Sequence, residues 1–393
     1  MKLPHLKKIL PEIKTGVSLK KYNTFRIGGK AKYFFEAKTE KDLLKVLTAV
    51  RDLKLPLFIL GGGSNVLFND EEFDGVVIKV STKGLEVKDY KPGEKIVYVE
   101  AGTPLSFLVN KAKELSLSGL EWATGIPGTI GGAVFGNAAA FGFSIGEIVK
   151  TVEAFDLETL KKRKFNQKEC CFEYKESIFK KEKKYVILRV GLVLRQGNKK
   201  EIEKMMKECL EKRKKSQPFC WSAGCVFKNI KIEKPEMKLK IKKALPEAAK
   251  FLKSGFLPAG YLIDKCGLKG KKIGKAEVSQ KHANFIVNKG GAKAKDIIKL
   301  IRLVKESVRK KLGIELEREV VFVKDFTIDS KFLISDNEIR EAEYKNKKNQ
   351  NMPKKKSSRR KSAKRKKTRK TAKKKTTKKK TSRKKASKKR KKK

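Results

Sequence analysis

The stretch Glu121–Gly142, EWATGIPGTIGGAVFGNAAAFG, constrains this chain more than any other. Six glycines and five alanines fall within it, and Glu121 is its one charge. So few side chains cannot build a core of their own, and ordering them is costly because glycine loses the most backbone freedom on folding. Such a run is stable where backbone packs closely against something and offers it N–H groups. A packed small-residue turn meets that condition, and so does a phosphate-bearing ligand. A second cluster, Gly61-Gly62-Gly63-Ser64-Asn65, tips the balance toward the ligand. It follows Leu57–Leu60, an apolar run that reads as a buried strand, and a strand entering a glycine turn presents amides to a pyrophosphate. No Gly-Lys-Ser/Thr follows, so the turn is not a P-loop, and the GxGxxG spacing is absent.

The rest of the chain reads as short strands with helices between them. Strands are expected at Ala31–Ala37, Val66–Phe68, Gly75–Val80, Ile96–Ala101, Val149–Asp156, Phe172–Tyr174 and Tyr185–Leu194. Helices are expected where apolar residues recur on one face: Glu40–Leu53, ended by Pro56, and Thr103–Leu115. Lys199–Lys215 reads as a charged helix leading to a second part. That part holds strand-like Gly224–Phe227, a helix near Pro246–Gly267, a strand at Asn284–Asn288, a helix at Asp296–Leu312 and a strand at Glu315–Val323. The class is α+β.

Composition excludes several functions. The six cysteines form no CxxC pair and only His5 and His282 are present, so no zinc site is expected. The N-terminal residues lack the apolar core of a secretory leader, and no apolar run reaches the length of a membrane span. A cytoplasmic protein without a disulfide framework is expected. The net charge of +57 is unevenly spread: residues 354–393 hold 27 Lys or Arg and no acid, which leaves +30 on the remainder.

Eight segments in order carry a resemblance: NTFRIGG (23–29), GGGSNVLF (61–68), GIPGTIGGAVFGNAAAFG (125–142), FEYKESIFK (172–180), SAGCVFKN (222–229), AGYLIDKCGLKG (259–270), HANFIVN (282–288) and LEREV (316–320). From about Asn23 to Val323 the chain resembles the UDP-N-acetylenolpyruvoylglucosamine reductases, flavoenzymes of peptidoglycan precursor synthesis. The resemblance implies an FAD-binding region of the vanillyl-alcohol-oxidase (PCMH) type in two subdomains, followed by a substrate domain. The implied boundaries are 1–80 and 81–198 for the two FAD-binding subdomains, 199–324 for the substrate domain, 325–344 for a linker and 345–393 for a disordered basic tail. It further implies that NADPH reduces FAD. The reduced FAD in turn reduces the enolpyruvyl ether of UDP-GlcNAc, giving UDP-N-acetylmuramate. The short path from FEYKESIFK to YVILRV implies the loopless type.

The chemistry asks for a cation or hydrogen-bond donor where negative charge develops beside the substrate carboxylate, and for a proton donor at the neighbouring carbon. By resemblance Cys225 is that donor, in the place of the family's Ser or Cys; a buried inert cysteine is the bland alternative. Glu319 matches the family's catalytic glutamate. Glu317 would share its face on a strand, so spacing alone does not choose between them. Lys175 stands where the family usually carries Arg, which keeps the charge and loses the fork. Tyr174, Lys228, Asn229 and Lys269 are the implied substrate-binding residues, and Ser177 matches the same motif as Tyr174. For the flavin, Gly61, Gly62, Gly63, Ser64 and Asn65 form one wall, and Gly125, Thr129, Gly131, Gly132 and Asn137 the other. Arg26 is placed near them, with a surface ion pair as its alternative.

The tail lies outside the family pattern. Its charge predicts salt-sensitive, sequence-independent binding to nucleic acid or an anionic membrane surface, without aromatics for base stacking. Two rivals remain at this point: another FAD-dependent oxidoreductase of the same fold, or a nucleic-acid-binding protein on a degenerate flavoenzyme scaffold. SAGCVFKN and LEREV speak against the first, and the intact glycine clusters with Cys225 and Glu319 against the second.

Overall fold

The computed structural model describes residues 2–233, 235–325, 327 and 328. The expected tail and most of the expected linker lie outside them. The chain divides into two compact units, Met1–Glu341 and Ala342–Lys393, and the first holds all the described residues.

The first sheet has the strand order Lys14–Ser18, Lys30–Ala37, Phe73–Val80, Leu57–Leu60. Helix Glu40–Asp52 makes the crossover between Lys30–Ala37 and Leu57–Leu60, both of which run parallel to Phe73–Val80 between them. It begins where Thr39 and Asp42 exchange hydrogen bonds in a capping box, and it buries Leu43, Val46, Leu47 and Val50 against the sheet. The crossover delivers Leu57–Leu60 with its C-terminal end at the glycine turn.

The second sheet is antiparallel, in the order Lys161–Asn166, Val149–Asp156, Tyr185–Gln196, Glu94–Glu100, Leu85–Lys91. Tyr185–Gln196 is its centre and is buried on both faces over most of its length. One continuous core joins this sheet to the first through Leu47, Val76, Val99, Val152 and Val190. A separate core, with Phe227, Leu262, Ile286, Ile297 and Val304, is organised by helix Ala294–Leu312 against the three-stranded sheet Lys272–Ile273, Ala276–Val278, Ile286–Asn288.

The C-terminal part is tied to the glycine turn and to the segment that follows it. Val321–Phe322 runs parallel to Val66–Leu67. The Asp70 carboxylate accepts from the backbone N–H of Ala294 at 2.8 Å and of Lys295 at 3.1 Å, which caps helix Ala294–Leu312 from a distant part of the chain. Asp70→Ala should therefore cost about 1–2 kcal/mol of stability, as loss of a helix cap does. Thermal unfolding read against Asp70→Asn, which keeps one acceptor oxygen, checks this.

Several expected elements differ. Phe172–Tyr174 is no strand: Glu173 and Glu176 exchange backbone hydrogen bonds of 3.1 Å each and close a tight turn over Tyr174-Lys175. Pro246–Gly267 is broken by Gly255, which has φ +70°, and by Pro258, into a 3-10 turn Pro246–Phe251, strand Phe256–Leu257 and helix Ala259–Lys265. Of Glu315–Val323 only Val321–Phe322 is ladder strand, and Gly224–Phe227 makes single bridges, from Cys225 to Phe285 and from Phe227 to Arg318. The segment after Lys324 begins inside the body, because buried Ile328 exchanges backbone hydrogen bonds of 3.2 and 2.9 Å with Leu57.

Candidate active site

The two glycine clusters meet wall to wall. A Cβ at Gly61 would lie 2.6 Å from Thr129 Oγ1, and one at Gly62 would lie 2.5 Å from the Gly128 Cα. Gly63 has φ +66°, and a Cβ there would fall 2.0 Å from the Tyr22 carbonyl oxygen. Ser64 Oγ crosses the contact and donates to the Pro127 carbonyl at 3.0 Å. A Cβ at Gly62 or Gly63 would strike backbone, and one at Gly61 would strike the Thr129 side chain. Thr129 starts the short helix Ile130–Phe135 and accepts from Gly132 N–H at 3.4 Å. Among the described residues, no acceptor takes the amide hydrogens of Gly62, Gly63 or Ser64. They line a cleft of about 1140 Å³. Unclaimed amides at a glycine turn suit a pyrophosphate, so the residues present fit an FAD.

Lys79 supports this wall and had no sequence signal, since one lysine in a strand resembles any other. Its Nζ donates to the Gly61 carbonyl at 2.6 Å, and burial lowers its pKa. Lys79→Met should weaken FAD binding about tenfold, the worth of one charge-assisted hydrogen bond. Titration of apoprotein with FAD measures it.

In the same cleft Lys175 Nζ and Glu319 Oε1 are 2.9 Å apart, and each side chain is 17% exposed. Burial pulls the Lys175 ammonium down, but the charge of Glu319 and its hydrogen bond outweigh burial, so the pKa lies above the ordinary lysine value. Glu319 is held on two sides: its N–H donates to the Val226 carbonyl at 2.8 Å, and its carbonyl accepts from Asn65 Nδ2 at 3.3 Å. Asn65 thus joins the glycine turn to the Lys175–Glu319 pair. Cys225 borders the same cleft. Burial, then the Glu319 charge, pushes its thiol up to about 12, with Lys175 and an Asn284 hydrogen bond acting the other way.

Asn284 fixes the Cys225 segment. Its Oδ1 accepts from Phe227 N–H and its Nδ2 donates to the Phe227 carbonyl, each at 2.9 Å. It lay in a quoted motif, HANFIVN, but a buried asparagine gripping a loop leaves no pattern of its own. Tyr174 and Asn229 come together: Asn229 N–H donates to the Tyr174 hydroxyl at 3.2 Å, and Phe256 packs on the Tyr174 ring with centroids 4.8 Å apart.

Other expected residues have side chains engaged by the protein itself or lie away from the cleft. Asn137 borders the cleft, but its side chain is occupied: Nδ2 donates to the Glu173 carbonyl at 2.8 Å and Oδ1 accepts from Gly146 N–H at 3.0 Å. Ser177 caps the helix Ile178–Glu182 and donates to the Phe135 carbonyl at 2.7 Å. Lys228 does not line the cleft and pairs with Glu176 and Glu317. Lys269 pairs with Asp264 at 2.6 Å, also away from the cleft. Arg26, in the left-handed region at φ 57°, is exposed and does not line the cleft.

A family model described as "FAD binding domain" matches residues 31–159. Another, described as "UDP-N-acetylenolpyruvoylglucosamine reductase, C-terminal domain", matches residues 214–323. The UDP-N-acetylenolpyruvoylglucosamine reductase of Caldicellulosiruptor bescii is 37% identical over 311 residues, which cover 78% of this chain and 90% of that protein. The chain belongs to the UDP-N-acetylenolpyruvoylglucosamine reductase family. The reductase of the same name from Thermotoga maritima is 38% identical over 301 residues, 76% of this chain and 94% of that one. The crystal structure of the reductase from Thermus caldophilus aligns with a TM-score of 0.60 at 34% identity, covering 79% of this chain and 98% of its own. As a member of this family the chain is an FAD-dependent oxidoreductase with the expected α+β architecture, an FAD-binding region followed by the reductase C-terminal domain. Between Ser177 and Tyr185 there is only the short helix Ile178–Glu182, the loopless form. No helix among the described residues is long and apolar enough to cross a membrane.

Proposed function

We propose that this chain reduces UDP-N-acetyl-3-O-(1-carboxyvinyl)glucosamine to UDP-N-acetylmuramate, with NADPH as the source of electrons, in the cytoplasm. The observation that carries the reading is the convergence of Lys175, Glu319 and Cys225 on one cleft that the glycine cradle also lines. When bound, FAD supplies hydride chemistry. The chain's own residues do the rest. Gly61–Asn65 and Gly125–Gly132 hold the pyrophosphate, and Lys79 fixes the first of these turns. The Lys175 ammonium faces the negative charge that develops beside the substrate carboxylate, in a site shielded enough for that charge to matter. Glu319 holds the ammonium in place. The Cys225 thiol keeps its proton at neutral pH and gives it to the neighbouring carbon. Tyr174 and Asn229 border the substrate end.

We assign residues 1–80 and 81–198 to the two halves of the FAD-binding region and 199–324 to the substrate domain. The separate core around helix Ala294–Leu312 supports the last of these. The basic residues of 354–393 bind polyanions without regard to sequence, a reading carried by charge alone.

Incubation of the FAD-loaded chain with NADPH and the enolpyruvyl sugar tests the reading. One NADPH should be consumed per product, and the product mass should exceed that of the substrate by two hydrogens. NADPH consumption without that product would refute it. A chain ending near residue 344 should keep this turnover and elute from immobilised DNA at lower salt than the full chain.

A further inference from the structure

Lys175 occupies a backbone conformation that its side chain resists. It is the second central residue of the turn closed by Glu173 and Glu176, and its φ is 60°. That position usually takes Gly or Asn, because a Cβ crowds the backbone at positive φ. A strained residue persists only where its surroundings over-determine it.

The surroundings here are an ion network. Lys180 Nζ donates to the Lys175 carbonyl at 2.7 Å and to Glu176 Oε1 at 2.9 Å. The same Glu176 oxygen accepts from Lys228 Nζ at 2.8 Å. Lys228 Nζ also reaches Glu317 Oε1 at 2.6 Å, and its backbone N–H donates to the Glu317 carbonyl at 2.8 Å. The network therefore runs from the turn that carries Lys175 to the segment that carries Glu319, two residues beyond Glu317. Its members differ in weight. The side chains of Lys180, Lys228 and Glu176 are 11%, 10% and 23% exposed, while Glu317 is 71% exposed and contributes little. Burial works against the charge of Glu176, yet the bonds from Lys228 and Lys180 hold its carboxyl below the usual range. Lys180 borders the cleft, but its ammonium is committed to the turn.

We propose that Lys180, Glu176 and Lys228 are positioning residues that impose the left-handed turn at Lys175 and set its approach to Glu319. The proposal rests on the role given to Lys175 above. It also gives a reason why a lysine needs a rigid frame here. An arginine fork tolerates misalignment through two parallel bonds, whereas the ammonium meets Glu319 at one oxygen and depends on where the backbone puts it.

The test uses the full-length FAD-loaded chain. Lys180→Met should lower kcat about tenfold, change KM for the enolpyruvyl sugar less than about threefold, and leave flavin reduction by NADPH intact, the pattern of a misplaced group in the reacting step. Lys180→Arg should restore most of the rate. In a Lys175→Met background the same substitution should add almost nothing, because the group it aims is gone. A wild-type kcat in Lys180→Met, or an equal fall in the Lys175→Met background, would overturn the proposal. If Lys180→Met does not fold, Glu176→Gln carries the same expectations. If the unaltered chain does not turn the substrate over, the functional reading fails and a crystal structure of Lys180→Met decides the frame. Relaxation of Lys175 to negative φ supports it, and φ unchanged near 60° rejects it.

Discussion

Cys225→Ala should lower kcat by about 10²–10⁴-fold, the usual worth of a positioned general acid, while FAD content and flavin reduction by NADPH stay near normal. Cys225→Ser, which keeps an O–H in place of S–H, should retain far more activity. The direction of the thiol pKa explains why a cysteine can serve. Burial, reinforced by the charge of Glu319, raises it to about 12, so the proton is present at neutral pH and stays as pH rises toward 10. Activity should therefore not be lost through this group in that range, in contrast to an ordinary thiol, half ionised near pH 8.5. Single-turnover kinetics separate the two half-reactions. A Cys225→Ala variant within a few-fold of wild type in substrate reduction would mean that another group gives the proton.

Lys175→Met should lower kcat by about 10²–10³-fold, the range for removing one donor from developing negative charge. It should also destabilise the fold, because Glu319 is left in a mostly buried site without its cation. A combined Lys175→Met/Glu319→Gln chain should recover part of that stability and none of the activity. Lys175→Arg should hold or raise kcat, since the guanidinium restores the fork that most relatives are expected to carry. Steady-state kinetics with thermal unfolding on the same preparations distinguish these outcomes. Near-normal kcat in Lys175→Met would remove Lys175 from the reacting end.

What could be read from the sequence was local. Glycine clusters announce close approach wherever they lie: a Cβ is excluded at Gly61 and Gly62 by the opposite wall and at Gly63 by the backbone of Tyr22 and Asn23. Helices Glu40–Asp52 and Ala294–Leu312 were legible because each buries one regular face. Lys161–Asn166 and Leu85–Lys91 were not legible as strands, being mostly exposed and charged, without an apolar alternation. The aromatic spacing of Phe172–Tyr174 imitates a strand, and nothing in FEYKES marks a left-handed lysine. Specific pairings escaped for a different reason. Asn65 with Glu319, Lys228 with Glu176 and Lys269 with Asp264 are chosen by the assembled fold, and no local pattern in the sequence announces them.

The anaerobic flavin spectrum of the purified chain tests the central claim most directly. NADPH should bleach the flavin bands, and the enolpyruvyl sugar added next should restore them in a single turnover. A flavin that NADPH reduces but the enolpyruvyl sugar leaves reduced would contradict the assignment of Lys175, Glu319 and Cys225 to this substrate while leaving the fold untouched.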